Sequence, residues 1–189
     1  PQDIRASGAV NVGISQNLEA KVRDRETGEV KKVRLIDNVV TSANYNLIAD
    51  SLGLSDITTR ANTDLFNRMR INVGVTHSAY ARDSSGMRVD EFLWDRGEGF
   101  LRMTRANAAF GSNFKGGEDT QFPWNCRVDY NLDVRKNWLA GSQRDTLIMS
   151  QSARIRGSVS LAERWRVDVN GSYDFIQREL TPTQLDVYW

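Results

Sequence analysis

Apolar and polar residues alternate along most of this chain. Between Ala9 and Val22, Val10, Val12, Ile14, Leu18, Ala20 and Val22 share one parity, while Asn11, Gly13, Ser15, Asn17, Glu19 and Lys21 share the other. Successive side chains of a β-strand point to opposite faces, so such a run predicts a strand with one apolar and one polar side. The cleanest run is Trp124 to Arg135. Trp124, Cys126, Val128, Tyr130, Leu132 and Val134 alternate with Asn125, Arg127, Asp129, Asn131, Asp133 and Arg135, and the second set has no apolar member. Trp165 to Phe175 repeats the arrangement, with Trp165, Val167, Val169, Gly171, Tyr173 and Phe175 on one side and Arg166, Asp168, Asn170, Ser172 and Asp174 on the other.

Weaker versions predict further strands at Val39–Leu47, Thr59–Leu65, Met69–Ala79, Leu101–Phe114, Met149–Leu161 and Leu180–Trp189, about nine in all. Asn46 to Leu54 is read as extended, because Tyr45 and Leu47 continue the two-residue period. Turn residues separate the runs at Glu26–Glu29, Phe66–Arg68, Gly116–Asp119, Ala140–Gln143 and Leu161–Glu163. Asp83–Gly86 and Asp95–Gly99 flank a longer polar loop, and Pro123 and Pro182 mark strand starts, where a missing N–H is tolerated. If Ser160 pairs with Arg164, Arg156 lies opposite Asp168 and Arg154 opposite Asn170.

Alternation does not say whether the apolar side meets a protein core or lipid. Three features favour lipid. The runs of twelve to fifteen residues exceed the ~5–6 of an ordinary soluble strand and cover the ~9–11 needed to cross a bilayer at a tilt. Aromatics gather near run ends (Phe122, Trp124, Trp138, Trp165, Tyr173, Phe175, Trp94), as in interfacial girdles. The polar sides are charged but balanced in sign, which suits a wet lumen. A soluble β-sandwich is the alternative.

Composition changes this picture little. The 189 residues carry 25 Lys and Arg against 24 Asp and Glu, a net charge of +1, which gives no electrostatic reason to expect nucleic acid. The mean hydropathy of −0.51 resembles that of a soluble domain. No stretch approaches the ~18 apolar residues of a membrane helix, but an average over two opposite faces conceals a barrel. The chain begins at Pro1 without a charged and apolar leader, and is expected to be one β-barrel segment, residues 1–189, of a longer protein.

The residue inventory offers no enzyme. One Cys excludes an internal disulfide or a Cys-based zinc site, and one His excludes two-His metal motifs. His77 beside Ser78 has no orienting carboxylate that the sequence can name. Asp83-Ser84-Ser85-Gly86 followed by Asp90-Glu91 lacks the ligand spacing of an EF-hand, and Gly97-Glu98-Gly99 lacks the rest of a dinucleotide fingerprint. Lys21, Arg23, Arg25, Lys31, Lys32 and Arg34 are interleaved with acids, as on a solvated hairpin tip. Asn170-Gly171-Ser172 is a chance sequon within a strand, and Cys126 is a small hydrophobe on the apolar side. No catalytic residue, metal or cofactor is expected.

Several segments resemble one family in order. KKVRLIDNVVTSANYNLIADSLGLSDITTRANTDLF (31–66), EFLWDRGEGFLRMTRANAAFGSNF (91–114), PWNCRVDYNLDV (123–134) and RWRVDVNGSYDFIQREL (164–180) are similar to the carboxy-terminal barrel region of LptD-like, lipopolysaccharide-assembly outer-membrane proteins of the Bacteroidetes type. Nothing in the chain resembles that family's periplasmic jellyroll, and the family continues past LDVYW (185–189).

The resemblance implies an all-β antiparallel meander of about nine long strands, forming part of a transmembrane β-barrel in the bacterial outer membrane. It implies non-catalytic conduction of lipopolysaccharide or another lipid into the outer leaflet, with a plug lipoprotein and periplasmic transport proteins as partners. The expected lumen-facing residues are Arg127, Asp129, Asn131, Asp133, Arg154, Arg156, Arg166, Asp168 and Asn170. The expected lipid-facing or girdle residues are Trp124, Val128, Tyr130, Leu132, Trp165, Val167, Val169, Tyr173 and Phe175. A porin or nutrient receptor is the nearest alternative.

Overall fold

The computed structural model of the chain describes residues 8–23, 28–65, 68–117, 119, 122–139, 144–161 and 164–189. Predicted turn residues 26–27, 66–67, 118, 140–143 and 162–163 lie outside that set. The alternating runs form β1 (Ala9–Arg23), β2 (Val30–Asn46), β3 (Ile57–Leu65), β4 (Met69–Ser78), β7 (Arg102–Gly116), β8 (Trp124–Leu139), β9 (Arg144–Leu161) and β10 (Trp165–Asp174). Between β4 and β7 lie β5 (Tyr80–Arg82) and β6 (Arg88–Phe92), and after β10 come β11 (Glu179–Leu180) and β12 (Gln184–Tyr188).

The protein is all-β, an antiparallel meander. Ten strands make one sheet in the order β1-β2-β3-β4-β7-β8-β9-β10, with β11 and β12 both on the free side of β10, and β5 and β6 form a separate two-stranded sheet. Each long strand lies beside its sequence neighbour, as expected where short connections join antiparallel partners.

Four expectations need correction. The extension through Leu54 does not form: β2 stops at Asn46, whose N–H donates to Gly53 O at 2.8 Å, so the chain turns back there. Leu52 takes a positive φ of 52° within that reversal.

The last predicted strand is split in two. The β10–β11 register (Tyr173↔Leu180) and the β10–β12 register (Asn170↔Gln184) differ by one residue, and Pro182, without an N–H, lies at the break.

The β9–β10 ladder closes at Leu161↔Trp165, so Ser160 faces Arg166 and Arg156 faces Asn170 rather than Asp168. An Arg–Asp pair across a ladder contributes only ~0.2–1 kcal/mol, too little to outweigh an added apolar closing pair. The slip is two residues, so the predicted faces survive it.

The fourth correction concerns the polar loop that Asp83–Gly86 and Asp95–Gly99 flank. β6 and Leu93 lie in it and β5 just before it, and Ala79, Tyr80, Ala81 and Leu93 are the buried apolar residues among those described.

The main sheet itself has no covered face. Among the described residues its strands lie against their hydrogen-bonded neighbours, and the β5–β6 hairpin adds side-chain contacts at one end alone. The accessible surface is 14359 Å², where a compact monomer of this mass exposes about 9,100 Å². Val12 is 58% exposed and Ile155 51%.

Candidate functional site: the two faces of the sheet

Paired residues of a ladder share a face, so the register assigns every strand residue to a side. One side carries Ile57, Thr59, Ala61, Thr63 and Leu65 of β3 and their β4 partners His77, Val75, Val73, Ile71 and Met69. It continues through Ala106, Ala108, Phe110, Ser112 and Phe114 of β7 to Val134, Leu132, Tyr130, Val128 and Cys126 of β8. Beyond these come Met149, Gln151, Ala153, Ile155, Gly157 and Val159 of β9, then Val167, Val169, Gly171 and Tyr173 of β10. None of these residues is Asp, Glu, Lys or Arg.

The expected lipid-facing residues Trp124, Val128, Tyr130, Leu132, Trp165, Val167, Val169 and Tyr173 all fall on this side. Phe175 lies one residue past β10, where Asp174 Oδ1 accepts from the N–H groups of Ile176 and Gln177 at 2.8 and 2.9 Å and turns the chain. Trp124 and Trp165 stand at one end of the sheet. Tyr130 stands mid-strand, edge-on to Phe175, which also meets Tyr173 edge-on.

The opposite side collects the polar set. Arg127, Asp129, Asn131 and Asp133 of β8, Arg154 and Arg156 of β9, and Arg166, Asp168 and Asn170 of β10 share it. The sequence located these residues without their partners. Asp129 accepts from Arg127 Nε at 2.9 and 3.0 Å and from Arg156 Nη2 at 2.7 Å. Asp133 accepts from Arg105 Nη2 at 2.6 Å and from Arg135 Nε at 2.8 Å.

The two clusters are copies of one device. Arg127 lies directly opposite Arg156, and Arg105 directly opposite Arg135. Like charges in that position repel. One carboxylate lies beside each pair and bonds both guanidiniums, which leaves each cluster with one net positive charge. Asp168 bonds Arg166 of its own strand at 2.7 Å, not Arg156. Towards β1 neutral pairs join the polar side: Asn44 Nδ2 donates to Asn11 Oδ1 at 2.6 Å, and Ser15 Oγ to Asn38 Oδ1 at 2.8 Å, while Arg34 pairs with Glu19 at 3.5 Å.

The remaining candidates stand apart from this arrangement. His77 pairs with Ile57 and Met103 on the apolar side. Asp83 Oδ1 is occupied by Ser85 and by the Met87 N–H, so it caps a turn. The Ser85 hydroxyl above all, with the N–H groups of Met87, Ser85 and Gly86, holds the Asp83 carboxyl below the usual carboxylate range. Among the described residues, no three His, Cys, Asp or Glu groups come together to hold a metal ion.

The ends of the sheet differ. Connections 47–56 and 79–101 lie at one end, while at the other three residues separate β3 from β4 and three separate β9 from β10. The β5–β6 hairpin clasps the first end. Arg88 Nη2 reaches Asp56 Oδ2 at 2.8 Å, Arg82 Nη1 reaches Asp145 Oδ1 at 3.4 Å, and Trp138 Nε1 donates to Ser84 O at 3.3 Å.

Residues 1–80, which hold β1 to β4, match the family model described as LptD protein. No curated protein and no solved structure matches the chain. Over those first 80 residues the chain is LptD-like.

Proposed function

We propose that this LptD-like chain is a stretch of outer-membrane barrel wall that takes part in lipopolysaccharide transport, conducting the glycolipid's polar part along its charged face without covalent chemistry. The observation that carries the reading is a face of a single-layer sheet that is free of charged residues from Trp124 to Val134 of β8 and along the partners of that run. On β8 that face runs from Trp124 to Val134, about 34 Å along the strand at ~3.4 Å per residue and about 26 Å in depth at a ~40° tilt. An outer-membrane barrel carries an apolar band of ~25 Å. A soluble sandwich covers that face with a second sheet.

The apolar side then meets acyl chains, and Arg127, Asp129, Asn131, Asp133, Arg154, Arg156, Arg166, Asp168 and Asn170 face water inside. Barrels of this kind have short periplasmic turns and long outer loops, so the end holding 47–56 and 79–101 is the cell exterior. A plug lipoprotein and periplasmic transport proteins belong to this reading as partners.

Leu132 and Asn131 are adjacent at the middle of β8 and lie on opposite faces. Arg at the lipid-facing midplane costs about 2–4 kcal/mol. Leu132→Arg should therefore abolish folding into detergent or lipid vesicles, followed by protease protection, while Asn131→Arg folds as the native chain does. Equal harm from both, or greater harm from Asn131→Arg, overturns the reading.

A further inference from the structure

We infer that the polar face carries a seat for a phosphomonoester, built around Gly111 and Asn113 near the end of the sheet with the three-residue connections. A cleft of about 300 Å³ opens there, lined by Asp64, Arg68, Arg70, Gly111, Asn113 and Arg127. The register explains its shape. Arg70 of β4, Gly111 of β7 and Asp129 of β8 stand in one row. In the next row Asn113 faces Arg127, which faces Arg156 of β9. The two short residues thus lie between Arg70 on the β4 side and Arg127 on the β8 side, with Asp129 opposite Gly111.

Gly111 is what lets the clamp lie low on the floor of the cleft. A Cβ there would meet Asp129 Oδ1 at 3.1 Å and Arg127 Nη2 at 3.5 Å, inside the space the clamp occupies.

Charge sets the ligand class. Arg68, Arg70, Arg127 and Asp64 line the cleft, and Arg156 and Asp129 lie beside it, bonded to each other. Asp64 is taken up by Arg70, whose Nε donates at 3.1 Å. Asp129 is taken up by Arg127 and Arg156 together. These pairings hold three of the four arginines in place. The Arg68 side chain is exposed and pairs with no described residue; its backbone is held instead, the O accepting from Ser112 Oγ at 3.2 Å and the N–H donating to Leu65 O at 3.1 Å.

The excess is two positive charges. A phosphomonoester carries about −1.5 to −2 charges and three strong acceptor oxygens at pH 7, and fixed guanidinium forks suit its geometry. A carboxylate or a sulfate ester would leave one cation unmatched. Lys115, two residues beyond Asn113 on the same face, lines the adjoining cleft with Arg68.

The seat rests on the proposed function only for its orientation, which puts it at the periplasmic mouth of the polar path. A phosphate on a glycolipid and a free phosphate ion share the chemistry.

The test titrates the full chain, in dodecyl maltoside micelles, with bisphosphorylated lipid A, with glucosamine 1-phosphate, with inorganic phosphate and with unphosphorylated glucosamine, read by ³¹P line broadening and calorimetry. The phosphorylated probes should bind and glucosamine should not. Tighter binding of lipid A than of inorganic phosphate identifies the glycolipid as the source, and equal binding identifies the free anion.

A charge-assisted hydrogen bond is worth ~1.5–3 kcal/mol, so Arg68→Gln should weaken binding roughly tenfold or more. Arg60→Gln makes the same charge change on the same face outside the cleft and should leave binding within about twofold, as nonspecific attraction would not. Undiminished binding in Arg68→Gln, equal loss in Arg60→Gln, or glucosamine binding as well as its phosphate each overturns the proposal. Because the titration does not measure insertion, the seat can fail while the Leu132 and Asn131 result stands, and the reverse.

Discussion

Asp129 shows how one residue sets the character of the polar face. Without its charge, Arg127 and Arg156 confront each other across the β8–β9 ladder. The Asp129 side chain is 19% exposed and those of its two partners about half. Solvent therefore screens the arginines, and the loss belongs at the low end of the 1–3 kcal/mol typical of a charged hydrogen-bond partner. Asp129→Asn should lower stability by about 1–2 kcal/mol in thermal unfolding in micelles. Adding Arg156→Gln should recover part of the loss, because it removes the repulsion. If Asp129→Asn melts with the native chain, the clamp contributes nothing to the fold. The sequence showed the alternation that puts Arg127, Asp129 and Arg156 on one side, because side-chain direction follows from parity alone. It could not show that Arg156 belongs to Asp129 rather than Asp168, because partners depend on register. A slip of two residues keeps every face and changes every pair.

At the scale of elements, the long strands were legible and the β5–β6 hairpin was not. β8 and β10 each advertise two faces over ten residues or more. β5 has three residues and β6 five, too few for a period to emerge. Their order comes from contacts distant in sequence. Tyr80 stacks on Phe92 and Phe92 on Trp94, with ring centroids 4.9 and 4.2 Å apart, and the Leu54 N–H donates to the Tyr80 hydroxyl at 2.9 Å. The turn between the two strands depends on Asp83 as a carboxylate. A carboxyl whose folded pKa is depressed contributes stability that is present above its unfolded pKa and is lost as pH falls through the folded value. The near-UV circular dichroism of the aromatic stack should therefore stay constant from neutral pH down to about pH 4 and decline below it. Asp83→Ala should loosen the stack at neutral pH and flatten that acid transition. An unchanged transition in Asp83→Ala would assign it to another carboxylate. The phosphate seat was illegible for a related reason: Arg68, Arg70, Gly111, Asn113 and Arg127 come from separate stretches of chain, and only the β4–β7–β8 register unites them.

For the whole molecule, the deciding feature is that the sheet has edges. β1 pairs with β2 over fifteen residues and has no other partner among the described residues. In an antiparallel strand about every second N–H points away from its neighbour, so roughly half of the β1 amides face outward. In water they are solvated. In a bilayer each costs several kcal/mol unless another strand takes it up, which is why only closed barrels of strands cross membranes. The opposite edge offers β12, five residues long, and β11, two. A five-residue strand cannot satisfy a fifteen-residue edge, so this sheet in isolation is an open wall. Hydrogen exchange on the monomeric chain in micelles checks the point strand by strand. The amides of β8, flanked by β7 and β9 along its length, should be protected at consecutive positions. Those of β1 should alternate, with the inward set slow and the outward set fast. Uniform protection along β1 in a monomer would mean that the sheet closes on itself, and the wall would then be a complete barrel.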